Sequence, residues 1–285
     1  MFLRAIALFI ILFSSFFGTC PAYKIFVSQA EVRQGSSLIV TLDDVNTSAR
    51  YFCSFNSADY PLYSCGDNSI RAIIGIPVDL NCGTHTFTIR EFIDEDRLSD
   101  SRYLIGVVSG NFRKDVIKFS PENKKKMASP KIRDDNVIIG RALKTEGERQ
   151  FWEGNFITPA EGRISGEFGS SRFDEKGNLL SYHKGIDVGI SAGTAVRSAG
   201  HGEVVLAGND FVLCGKAVLV HHGQGISSIY MHLNEISVKE GQVVEKGDTI
   251  GLSGSTGLST GAHLHWGVYV HGRAVDPMFW VNNAP

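Results

Sequence analysis

The chain is 285 residues long, enough for one large domain or two ordinary ones that each bury a core. Its formal charge is −2, so it lacks the cationic excess that binding to nucleic acid requires. Hydrophobic residues at 43% and charged ones at 20% are the proportions of a soluble globular protein, which argues against a disordered chain.

The N-terminus departs from that average. Met1-Phe-Leu-Arg4 is a short positive start, Ala5 to Phe17 is a nearly unbroken apolar run, and Cys20-Pro21-Ala22 places small residues where a signal peptidase reads. The pattern predicts an export leader over residues 1–22, cleaved near Ala22, because the apolar run is too short to span a bilayer and no stop-transfer segment follows. A lipoprotein signal ending at Cys20 is the alternative, disfavoured by Phe17 at a position that usually holds a smaller aliphatic residue. No later stretch is apolar enough to cross a membrane, so no transmembrane segment is expected once the leader is removed. Export leaves Cys53, Cys65, Cys82 and Cys214, an even number in an oxidising compartment, and disulfides are expected. Cys53 with Cys65 is the favoured pair, since they flank a turn-rich loop; Cys82 and Cys214 then pair only across domains. Without a Cys-x-x-Cys they do not resemble zinc ligands.

From residue 23 to 120 the signals are all β. Ile25–Val27, Ser37–Leu42, Ile70–Ile74 and His85–Arg90 are short β-rich runs, separated by turn residues at Gln34-Gly35, Gly66-Asp-Asn68 and Asn81-Cys-Gly83. This spacing predicts an immunoglobulin-like β-sandwich. His85 alternates with Phe87 and Ile89 and is a strand residue rather than a ligand. Residues 121–150 are expected to be a linker: Pro121 opens it, Lys124-Lys-Lys126 is a solvated charge run, and Pro130 interrupts any helix. After Asp134-Asp135, an N-cap region, a short helix is predicted over Val137–Lys144.

Beyond residue 150 the composition shifts, with 22 of the 31 glycines lying there. Between them run Gly202–Ala207, Ala217–His221, Ile226–Tyr230, Thr249–Leu252 and His265–Val270. Short strands and glycine turns without long helices predict a second, compact antiparallel β domain over 151–285, making the fold mostly β. Gly185, Gly261 and Gly267 flank histidines, where backbone must approach a metal or peptide closely.

Two motifs in this half carry chemistry. His183-Lys-Gly-Ile-Asp187 spaces an imidazole and a carboxylate so that successive helical turns or the two ends of a bent strand present both to one ion, and Gly185, Val188, Gly189 and Ile190 favour the bent strand. His263-Leu-His265 puts two rings on one face of a strand, so one holds a metal while the other reaches into the same cleft. Three protein ligands and an open position for water make a catalytic zinc site, whereas structural zinc sites are closed by four. His201, His221, His222 and His271 lie in turns or at strand ends and are expected to pack or hydrogen-bond rather than ligate.

The residues from about Phe156 to Pro277 resemble the lysostaphin/LytM-type zinc endopeptidases that cut peptidoglycan. The resemblance runs through Pro159-Ala-Glu-Gly162, Phe168-Gly169, His183–Val188, Gly193–Val196, His222–Gly225, Tyr230-Met-His-Leu233, Val243–Gly247, Gly254–Gly257, Thr260–His265 and Asp276-Pro277. The N-terminal half is similar to the β module that precedes this peptidase in secreted Gram-negative members, through Ala72–Asp79 and Gly83–Phe87. The resemblance implies one Zn2+ per chain held by His183, Asp187 and His265, with His232 and His263 as the catalytic pair. All five positions hold the family's residue type; the departure is Ala262, where many members have proline. The implied activity is hydrolysis of peptidoglycan stem-peptide cross-links in the periplasm or cell envelope, most readily the D-Ala to diaminopimelate bond. The alternatives are glycine-bridge cleavage and a non-catalytic wall-binding or amidase-activating protein on the same fold. No glutamate is placed as a base, so His232 or His263 takes the proton from water while the other binds the oxyanion. A ligating imidazole also needs a partner for its second nitrogen.

Overall fold

The computed structural model describes residues 13–18, 23–94 and 96–283. Backbone contacts divide the chain into two compact units, one up to Gly110 and the other from Asn111 onward.

The first unit is a sandwich of two sheets. One runs in the order Phe13–Gly18, Asp96–Val108, Gly83–Ile93, Arg50–Phe55 and Ala58–Tyr60, with Glu31–Arg33 added in parallel to Asp96–Val108. The other contains Lys24–Val27, Ser37–Asp43, Ser69–Gly75 and Tyr63–Gly66. Alternation explains the pairing of their faces: Leu38, Val40 and Leu42 point inward from one sheet and meet Phe55, Phe87, Ile89, Tyr103 and Ile105 of the other in one core. This is the immunoglobulin-like module expected, and His85 is a strand residue within it. Phe13–Gly18, inside the stretch expected to be an export leader, lies antiparallel along Asp96–Val108. The cleavage region around Cys20 to Ala22 lies outside the described residues.

The cysteines correct the disulfide expectation. None of Cys53, Cys65, Cys82 and Cys214 is joined to another of the four. Cys53 is fully buried in the core, Cys65 is on the edge strand of the opposite sheet, and Cys82 is exposed in a turn. Cys214 is buried in the second unit. Parity and compartment make a bond possible, but a disulfide needs Cβ atoms within about 4.5 Å, and strand geometry decides that.

The second unit begins before the expected linker ends. It contains β1 (Lys114–Val116), α1 (Pro121–Met127), α2 (Lys131–Ala142), β2 (Arg163–Gly166), β3 (Ser171–Phe173), β4 (Leu179–Tyr182), β5 (Ile186–Gly189), β6 (Gly202–Phe211), β7 (Gly215–Gly223), β8 (Ile226–Ile236) and β9 (Leu264–Val270). Helix α1 starts at Ser120, whose Oγ accepts from Asn123 N, with Pro121 at its first position. Helix α2 begins just after Pro130, earlier than the predicted Val137. Asp135 is a buried residue of its interior, not a cap, and its Oδ2 accepts from Val212 N at 2.7 Å. Ile139 and Leu143 complete a core with Leu206, Phe211, Leu219, Ile229 and Tyr269. Residues 121–150 therefore pack as part of this unit.

The main sheet of the unit has ten strands, running β2-β5-β9-β8-β7-β6 along its path. Its central strands are largely buried on both faces, and every residue of β9 is buried. Strands β1, β3 and β4 form a separate three-stranded sheet.

Candidate metal centre

Register brings the centre together. Strands β5 and β9 are antiparallel neighbours in which Asp187 stands opposite His265, and in the next pair Met231 of β8 stands opposite His265. Cross-strand partners project from the same face, so Asp187 and His265 meet there. His183 enters from the turn before β5, where its backbone is tied on both sides: Gly169 N donates to His183 O and His183 N donates to Ser170 O, each at 2.9 Å.

The three side chains converge on one point. His183 Nε2 is 3.0 Å from Asp187 Oδ1 and 3.0 Å from His265 Nδ1, and His265 Nδ1 is 2.8 Å from Asp187 Oδ1. The outer nitrogen of His183, Nδ1, donates to the Glu167 carbonyl at 2.9 Å, so a neutral ring presents a bare lone pair at Nε2. Lone pairs and a carboxylate oxygen aimed at one another repel unless a cation lies between them. Three donors on one tetrahedral zinc at 2.0–2.2 Å lie about 3.3 Å apart, so the triangle needs to open by only roughly 0.4 Å. The residues fit a single zinc ion. Among the described residues no other group of three such donors occurs.

Asp187 is held from its other side too. Arg172 Nη2 of β3 donates to Oδ2 at 3.3 Å. Gly166 stands opposite Asp187 in the β2–β5 pair, and a Cβ there would collide with the carboxylate, so only glycine leaves room. Burial pushes the Asp187 carboxyl up, but the His183 and His265 rings beside it, when protonated, outweigh that and hold the group well below the usual carboxylate range.

The two remaining histidines lie beside this triangle. His263 Nε2 is 3.9 Å from Asp187 Oδ1. The ring centroid of His232 is 4.7 Å from that of His263 and 6.2 Å from that of His265. In both rings Nδ1 is committed to a main-chain carbonyl: His232 donates to Thr256 O and His263 to Gly261 O, each at 2.8 Å. Each neutral ring therefore has Nε2 as its acceptor. Burial, then the neighbouring His265 and His263, push the His232 pKa down to about 3. His232 also has a φ of 62°, a left-handed backbone that costs an L residue about 1–3 kcal/mol. That departure from strand geometry follows directly after Met231, where the pairing with β9 ends.

The histidines expected to be bystanders lie elsewhere. His222 donates from Nδ1 to His201 O, with Nε2 2.8 Å from Ser228 Oγ; His271 meets Glu146 at 2.7 Å. Lys246 N donates to His201 Nδ1, and His221 is buried near Ser227. Of the three flanking glycines, two are pinched. A Cβ on Gly185 would lie 2.9 Å from His265 Nε2, one on Gly267 2.9 Å from Lys184 O, while Gly261 has open space. Missing from the sequence-based set are Arg172, the Glu167 and Thr256 carbonyls, and Ser259. A main-chain acceptor has no residue-type signature.

Two imidazoles and a carboxylate on a β scaffold, with no fourth protein donor grouped with them among the described residues, are the donor set of a mononuclear zinc site that keeps a position open. Residues 181–277, about a third of the chain, match Peptidase family M23. It is 40% identical over 116 residues to the peptidoglycan DD-endopeptidase ShyA of Vibrio cholerae, covering 41% of this chain and 27% of that protein. It is 36% identical over 120 residues to the murein hydrolase activator NlpD of Escherichia coli, covering 42% of this chain and 29% of that protein. The chain thus spans roughly a quarter to three tenths of the curated relatives it matches. A crystal structure of a putative peptidase M23 from Pseudomonas aeruginosa shares the fold, with a TM-score of 0.63 at 23% identity, covering 87% of this chain and 93% of that one. No helix among the described residues is long and apolar enough to cross a membrane.

Proposed function

We propose that the protein is an exported zinc endopeptidase that hydrolyses peptide cross-links of bacterial peptidoglycan, with the D-Ala to diaminopimelate bond as its substrate. The observation that carries this reading is the meeting of all five side chains: a ligand triangle from His183, Asp187 and His265, and the His232–His263 pair beside it. The similarity to a DD-endopeptidase supports the bond assigned.

When bound, zinc polarises a carbonyl group and lowers the pKa of water from about 15.7 to about 7. The chain's own residues do the rest. With Nδ1 fixed on a carbonyl, Nε2 of His232 or His263 accepts the proton as the water oxygen bonds to the scissile carbon. The other ring donates from Nε2 to the oxyanion when it carries a second proton, taken up from solvent beforehand and kept through the step. The proton taken from water then passes to the leaving amine as the C–N bond breaks. Arg172 keeps Asp187 turned toward the two ligating imidazoles.

The similarity to a murein hydrolase activator favours a second reading, in which the fold binds wall or partner without cleaving. Digestion of purified peptidoglycan with and without chelator separates them, with mass analysis of the released muropeptides. The expected result is chelator-sensitive release of peptides cut at D-Ala to diaminopimelate. Release unaffected by chelator, or none from zinc-loaded protein that instead stimulates an amidase, overturns the reading.

A further inference from the structure

Both non-ligand histidines are aimed by one irregular loop, residues 255–262. Thr256 O receives His232 Nδ1, and Gly261 O receives His263 Nδ1, with Ser259 Oγ 3.2 Å from the same nitrogen. Such a loop has no ladder of its own to hold those carbonyls in place. On one side it rests on the turn before β7: Leu258 N donates to Leu213 O at 2.9 Å, Lys216 N donates to Thr256 Oγ1 at 2.9 Å, and Gly257 lies backbone to backbone against Gly215.

On the other side it is held by α1. Lys126 Nζ donates to Gly257 O at 2.9 Å, and the buried Asn123 donates from Nδ2 to Ser259 O at 3.4 Å. The bonds interleave along the loop: position 256 holds His232, 257 meets Lys126, 259 meets Asn123 and His263, and 261 holds His263. Each bond that orients a histidine lies within two residues of a bond to α1. The ligand triangle depends on none of these contacts, since β5, β9 and Glu167 O hold it.

We propose that Asn123 and Lys126 are positioning residues for the His232–His263 pair, so that α1, which lies outside the family-matched stretch 181–277, is a working part of the peptidase centre. The proposal rests on the catalytic roles assigned to those histidines above. Misplacing a reacting group by about 1 Å costs up to 10²-fold, and a loosened loop loses part of that.

The test uses the full zinc-loaded chain carrying Asn123→Ala with Lys126→Met, and Lys126→Arg as the charge-retaining rescue. In the double variant kcat is expected to fall about tenfold, with KM changed by less than about twofold. One zinc per chain and the melting temperature are retained, and Lys126→Arg keeps most of the activity. Long-range proton–nitrogen spectra of the histidine rings are expected to show Nδ1–H on His232 and His263 in the wild type, and mixed tautomers in the double variant. Unchanged kcat and unchanged ring spectra overturn the proposal. Loss of zinc or of cooperative melting also overturns it, since α1 is then mere structural support. If the wild type itself cleaves nothing, the catalytic assignment falls, while the ring spectra still decide whether α1 orients the pair.

Discussion

Gly185 sits between two candidate ligands, His183 and Asp187, in the turn that leads into β5 and lies tight against β9. A Cβ at this position would overlap the Trp266 main-chain carbonyl and lie 2.9 Å from His265 Nε2. A side chain can swing aside, but a strand carbonyl cannot. Relief in Gly185→Ala therefore requires β5 and β9 to part by roughly 1 Å, an overpacking that costs about 1–3 kcal/mol. The ligand triangle has sides of only 2.8–3.0 Å, so the same movement widens it by about a third. A zinc affinity lower by about 10–100-fold is expected, the loss seen when ligand orientation is disturbed. Competition with a chromogenic chelator measures it, and thermal melting in excess chelator measures the stability loss separately. Gly140→Ala is the control: it lies in α2 with open space around it, so it is expected to stabilise by up to about 1 kcal/mol and leave zinc affinity alone. Wild-type zinc affinity in Gly185→Ala would refute the claim that the approach of β5 to β9 sets the donor geometry.

Two further outcomes are expected. Burial lowers the His222 pKa to about 4, below the unfolded value of about 6.5, so the unfolded state binds more protons between those values. Its contribution to stability is complete above about pH 6.5 and is lost as pH falls toward 4, by roughly 3 kcal/mol; urea melts of chelated wild type and His222→Gln should differ in slope across that window, and equal slopes would remove His222 as the cause. A chain beginning at residue 151 lacks Ile139 and Leu143 and exposes the core they cover, at about 2–5 kcal/mol for each large side chain lost, whereas one beginning at 111 keeps both. Equal melting temperatures for the two would show that residues 111–150 are dispensable to the fold.

What was legible in the chain was legible for reasons of period and spacing. His263 and His265 share a face because a strand repeats every two residues, and the immunoglobulin-like core follows from the alternation of Leu38, Val40 and Leu42. The disulfide expectation failed because parity and compartment carry no geometry, and Cys53 and Cys65 sit on strands of opposite sheets. Helix α1 went unread although its start signal was present in Ser120-Pro121-Glu122, which gives a cap, a first-turn proline and a first-turn acid. Three adjacent lysines looked like solvent-facing charge, yet Lys126 reaches the Gly257 carbonyl.

The contrast between the two shells of the centre has a physical origin. The five central side chains are identified by chemistry, because few residue types bind zinc or move protons near neutrality. Their supports are identified by position. Glu167, Thr256 and Gly261 each act through a carbonyl that every residue possesses, so no substitution pattern within one sequence marks them. Arg172 does carry a distinctive side chain, but it meets Asp187 only because β3, from a different sheet than β5, passes close to it. Sequence spacing therefore reveals what the centre is made of, while the aim of its two histidines is set by loop and helix contacts that only the folded backbone creates.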